Sequence, residues 1–187
     1  PGDEDDYFQS SLFTIARRRI LWLLILVLAN GLTTKVIAMN DQILKEIVLL
    51  AAFIPLLIGT GGNVGAQSST VVIRGLSTQK LKSLGAIKAV VKEAITGALL
   101  GVLMMLVVFP FAWWQGEGPL IASAVGISLI SITTLAATTG AILPLLFDKM
   151  RLDPALMSSP FITTITDIAG VFIYLSTAKW LLSSTPL

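Results

Sequence analysis

Residues 55–75 read PLLIGTGGNVGAQSSTVVIRG, and the reading of that stretch decides the rest. It opens as an apolar run and then carries Gly59, Thr60, Gly61, Gly62, Asn63, Gly65, Gln67, Ser68, Ser69 and Thr70. A helix facing lipid would not be built this way. Glycine lets a second backbone or a hydrated ligand come close, and amides and hydroxyls need partners where the dielectric is low. The wall therefore has to face protein or a water-filled cavity, and it reads as one side of a pore. A phosphate-binding loop is the poorer account, because no Lys follows the glycines and the segment lies inside an apolar span rather than between a strand and a helix.

The flanking sequence places that wall in a membrane. Of 187 residues, 55% are hydrophobic and only 13% charged, with a mean hydropathy of +0.86. Several apolar runs reach the roughly 20 residues that cross a bilayer at about 1.5 Å rise each. The absence of Cys removes disulfides and thiolate metal sites, and the absence of His removes imidazole ligands and bases, so an enzyme is not expected. The net charge of +2 says little about nucleic acid, since the basic residues fall at the ends of apolar runs.

An all-α membrane protein with five spans follows, at about 20–39, 46–74, 89–114, 120–147 and 155–182. Residues 1–19 are expected to be an acidic linker followed by a short interfacial helix whose Arg17, Arg18 and Arg19 meet lipid head groups. Trp22 marks one interface of the first span, Asn40 to Gln42 make a turn, and Pro55 predicts a kink or local unwinding in the second. Gly97 and Gly101 are a packing pair in the third span, with Trp113 and Trp114 as its aromatic belt and Glu93 close to its start. The fourth span, with Ser128, Ser131, Thr133, Thr134 and Gly140, reads as packing rather than chemistry. Glu117 sits in the turn before it, and Asp153-Pro154 can cap and start the fifth.

Charge sets the orientation. With the N-terminus inside, the inner segments hold Arg17, Arg18, Arg19, Arg74, Lys80, Lys82, Lys88, Lys92, Lys149 and Arg151, leaving Lys35, Lys45 and Lys179 outside. The expectation is a multi-pass protein of the cell's inner (plasma) membrane, N-terminus cytoplasmic and C-terminus outside.

Asp167 separates transport from anchoring. It lies about twelve residues into the fifth span, on the order of 18 Å deep. An ionised carboxylate there costs about 2.5–3.5 kcal/mol even on the mildest scale, so water, a cation or a donor must accompany it. Ser159, Thr163, Asp167, Gly170, Tyr174 and Thr177 recur at helical spacing as one polar stripe. The competing reading of the Asp is one satisfied by neighbouring hydroxyls in a packed bundle. Two polar walls carrying one negative charge suit a cation. Two copies about a symmetry axis would bring two carboxylates to one constriction, too few oxygens to strip a divalent ion and tolerable for Mg2+, which keeps its waters.

The segments PLLIGTGGNVGAQSSTVVIRGL, LDPALMSSPFITTITDIAG and VFIYLSTAKWLL, in this span order, resemble the MgtE family of magnesium channels and transporters. That resemblance implies a homodimer conducting Mg2+ through a pore at the subunit interface, lined by the second and fifth spans. It implies that Asp167 binds hydrated Mg2+ and that Thr163, Gly59 and Gly62 contribute backbone carbonyls or pore wall. The full pore-lining set expected is Gly59, Gly62, Asn63, Ala66 and Thr70 with Ser159, Gly170 and Tyr174. Glu93 and Asp153 are candidate ion contacts on the cytoplasmic side, with a plain interfacial charge the competing reading of Glu93. Family members carry cytosolic Mg2+-sensing N and CBS domains; these are expected to be missing here, the acidic start being the remnant of their linker. The alternative function is a proton- or sodium-coupled secondary transporter of a small metabolite, with the Gly-Asn stretch as a broken helix at its substrate site.

Overall fold

The computed structural model describes residues 12–46, 48–79, 85–115 and 118–183. All regular structure in them is helical: α1 (Leu12–Met39), α2 (Asp41–Glu46), α3 (Val48–Ser77), α4 (Ala86–Trp114), α5 (Gly118–Lys149) and α6 (Pro154–Ser183). The acidic residues 1–11, Lys80, Lys82 and Glu117 lie outside the described residues, as do the side chains of Arg18, Arg19, Trp22 and Lys45.

Among the described residues, four helices are long and apolar enough to cross a membrane: α3, α4, α5 and the Ser158–Ser183 part of α6. In α1 the apolar stretch so recognised is the shorter Leu26–Met39. The expected separate interfacial helix is corrected, since residues 12–19 are the first turns of α1 itself. Nothing between Leu12 and Ile20 breaks a helix, and arginine is a good helix former. The turn expected at Asn40 to Gln42 is likewise shorter than anticipated. Asn40 alone turns, its Nδ2 donating to the Val36 carbonyl at 2.8 Å, and α2 starts at Asp41.

Pro55 does not unwind α3, which runs unbroken from Val48 to Ser77. A proline inside a helix costs about 3 kcal/mol. An unwound segment at membrane depth would strand several N–H and C=O groups, each at several kcal/mol, and is the worse solution.

The core is built on α5. Ala122, Val125, Leu129, Ile132, Ala136 and Ala141 are fully buried along it, and it packs against α3, α4 and α6, while α3 also meets α6 and α1 meets α6. Small residues make these approaches possible. A Cβ at Gly97 would stand 2.5 Å from the Thr133 carbonyl oxygen, and one at Gly101 would strike Thr133 Oγ1. Thr133 Oγ1 in turn donates to the Gly97 carbonyl at 2.8 Å. The expected packing roles of the Gly97/Gly101 pair and of the hydroxyl-rich α5 are both present. Between α3 and α6 the fit is as tight: a Cβ at Gly61 would lie 2.5 Å from Thr166 Cγ2 and 2.7 Å from Ile132 Cγ2. With no hydrophobic force between helices in lipid, close van der Waals contact of this kind is what holds them.

At the far end of α5, Leu152 N–H donates to the Phe147 carbonyl at 2.9 Å and Arg151 N–H to the Asp148 carbonyl at 3.0 Å, with Arg151 at φ 60°. This is a Schellman termination with arginine where glycine is usual. The reversal delivers the chain to Asp153 and to Pro154, the first residue of α6, where a missing N–H is harmless.

Candidate functional site

Two rotational faces of α3 do different work. Gly61, Val64, Gly65, Ser68, Ser69 and Val72 are buried against the bundle. Gly59, Asn63 and Thr70 are exposed, with Gly62 and Ala66 half-buried beside them. A Cβ at Gly59 would meet nothing within 4 Å, and one at Gly62 would only reach Thr163 Cγ2 at 3.9 Å. Those five residues are spaced as one helical stripe, which a single chain leaves open.

On α6 the matching stripe closes along its length. Ser159 is exposed, Thr163 and Asp167 are half-buried, and Gly170 and Tyr174 are buried. Within one chain the last two expected pore-lining residues do not line an open face: a Cβ added at Gly170 would lie 3.7–3.8 Å from the Ile132 side chain of α5, and Tyr174 lies in the core with Val171 and Leu175. Helical spacing does put all five on one face, but the far half of that face is packed into the core. The open part ends at Asp167.

The two open stripes meet in a groove of about 470 Å3 lined by Ala66, Thr70, Ile73 and Arg74 of α3 and by Ser159 of α6. Two threonine hydroxyls on the open stripes, one on each helix, have a fixed polarity. Thr70 Oγ1 donates to the Ala66 carbonyl at 2.9 Å, and Thr163 Oγ1 donates to the Pro160 carbonyl at 3.0 Å. Their protons are used within their own helices, so what they turn outward is lone pairs. Beyond them stands Asp167, and among the described residues no group donates to its carboxylate.

The remaining candidates fall elsewhere. Because α4 begins at Ala86, Glu93 is two turns inside the helix rather than close to its start, beyond the reach of the N-terminal dipole. Its Oε2 accepts a hydrogen bond from buried Ser68 Oγ at 2.7 Å. Ser68 is on the packed face of α3, so Glu93 stands behind the wall and ties two helices together. Asp153 is exposed and immediately precedes α6, as a capping residue would. Ser68 itself was missed as a partner because the glycine-rich stretch read as a single wall.

A family model described as MgtE, divalent cation transporter, matches residues 54–177, which takes in both open stripes. The chain belongs to the MgtE family. It is 38% identical over 166 residues to a magnesium transporter MgtE of Thermus thermophilus, covering 89% of this chain and 37% of that protein. It is 33% identical over 176 residues to the Bacillus subtilis magnesium transporter MgtE, covering 94% of this chain and 39% of that protein. For the Enterococcus faecalis magnesium transporter MgtE the figures are 34% over 168 residues, 88% and 36%. The chain thus spans well under half the length of these MgtE relatives. The family is described as one of divalent cation transporters, and the apolar helices of this chain make it a multi-pass membrane protein.

Proposed function

We propose that the chain conducts Mg2+, with most of its hydration shell retained, through a pore between two copies, α3 and α6 of each copy lining it. The polarity of the open face carries this reading. Water bound to a metal turns its hydrogens outward, and a wall of Thr70 and Thr163 lone pairs ending in one carboxylate accepts from such water. A single chain supplies one charge, and the described residues contain no group of three or more acidic side chains that would form an all-protein cage. Two Asp167 carboxylates match a divalent ion, and Mg2+ dehydrates reluctantly enough to be held through its waters. The three relatives named as magnesium transporters supply the choice of cargo.

Five spans are proposed, α1 forming the first, in the plasma membrane with the N-terminus cytoplasmic. In support, Ser77, Gly85 and Lys149 border a common cavity of about 800 Å3, so the basic ends of α3, α4 and α5 lie together. The greater length of the relatives is consistent with cytosolic Mg2+-sensing domains in addition to these 187 residues.

Asp167→Asn tests the reading, since it keeps size and hydrogen bonding while removing the charge. Mg2+ uptake into liposomes at equal dimer content should fall on the order of tenfold or more. Undiminished, Mg2+-selective uptake would leave the packed-Asp account standing.

A further inference from the structure

We propose that Lys88 and Lys92, near the start of α4, form a binding site for the head group of an anionic phospholipid whose acyl chain lies along the same helix. The two lysines are one turn apart and exposed, and with Ile87, Val91, Ile95 and Thr96 they line a shallow groove of about 370 Å3. Their depth can be read from the other end of the helix. Trp113 and Trp114 are 59% and 83% exposed, as aromatic residues at a membrane interface are. From Trp113 back to Lys92 is 21 residues, about 31 Å at 1.5 Å rise, which matches the roughly 30 Å hydrocarbon thickness. Lys92 therefore stands at the edge of the hydrocarbon, and Lys88 about 6 Å beyond it, at the level of lipid phosphates.

Charge and shape then select the occupant. The nearest acidic residue in sequence, Glu93, accepts from Ser68 at 2.7 Å on the inner side of α4. No ion pair to either lysine occurs among the described residues. Beside the lysines and on toward the middle of α4 the same outward surface carries Val91, Ile95 and Leu99, which are 51%, 64% and 59% exposed. The arrangement is a pair of cations over an apolar track, with α4 supported from behind chiefly by α5. A zwitterionic lipid fits the track but leaves both charges without a counterion; an anionic one satisfies both parts.

The experiment is native mass spectrometry of the intact chain in detergent, titrated with phosphatidylglycerol or phosphatidylcholine. Replacing both lysines (Lys88→Gln, Lys92→Gln) should weaken phosphatidylglycerol retention by about tenfold or more, since each surface lysine contributes comparably to anionic-lipid attraction. Phosphatidylcholine retention should not change. Lys179→Gln removes one exposed charge from another helix and serves as the control. Unchanged phosphatidylglycerol binding in the double variant, or an equal loss in Lys179→Gln, overturns the site. Both lysines are exposed, so neither change disturbs packing, and the readout does not depend on ion transport.

Discussion

A methyl group added at Gly65 would lie 2.5 Å from Ile162 Cγ2 and 3.2 Å from the Ala136 carbonyl oxygen, whereas one added at Gly59 would meet nothing within 4 Å. The two glycines stand six residues apart in one helix and answer to different demands. Gly65→Ala forces α3 away from both α5 and α6, and overpacking of this kind costs typically 1–3 kcal/mol. Gly59→Ala introduces no clash and gains about 0.5–1 kcal/mol of helix propensity. Thermal unfolding in detergent should therefore show a lower midpoint for Gly65→Ala and an equal or higher one for Gly59→Ala. If Gly65→Ala were as stable as the parent, the Gly61/Gly65 face would not be the packed one. The spacing of those two glycines, four apart, is a packing signal that the sequence displays. What it does not display is which of the glycines between 59 and 65 face a neighbour, because that depends on how α3 is rotated against α5 and α6. Tyr174 is the mirror case: its place in the α6 stripe is legible in the sequence, but its burial in the core is not.

At the scale of whole elements, the helix bounds were the most readable feature. The helices α4, α5 and α6 run over Ala86–Trp114, Gly118–Lys149 and Pro154–Ser183, and the charges, turns and prolines that bound them stand in the sequence. The relation of α3 to α4 was not readable, because it rests on the hydrogen bond between Ser68 and Glu93, partners 25 residues apart in sequence. A charge-assisted bond of this kind contributes about 1.5–3 kcal/mol, and removing the donor leaves a carboxylate short of a partner near the hydrocarbon edge. Ser68→Ala should lower stability by that order, while Glu93→Gln, which retains an acceptor oxygen, should lose less. Chemical or thermal unfolding of both variants checks the order. If Glu93 were instead an ion contact in the pore, Glu93→Gln would depress Mg2+ flux as strongly as Asp167→Asn while stability stayed intact.

For the molecule as a whole, the open faces of α3 and α6 pose the question of what covers them. Exposed apolar residues along α4, such as Leu106 and Val107 at 66% and 67%, suit lipid. Asn63 and Ser159, both exposed on the open faces, do not, because lipid cannot satisfy an amide or a hydroxyl. A second copy presenting the same face about a two-fold axis would satisfy both, with water between them, and an isologous contact of that sort closes without further assembly. The chain contains no Cys, so a single introduced thiol reports on this directly. Asn63→Cys should be joined to its counterpart in a second copy by a short bifunctional thiol reagent in membranes, and the linkage should slow Mg2+ entry. Val107→Cys, on the lipid-facing side of α4, should remain monomeric on the gel under the same treatment. The opposite pattern, linkage at Val107 and none at Asn63, would move the interface to α4 and leave the α3/α6 groove without a partner wall.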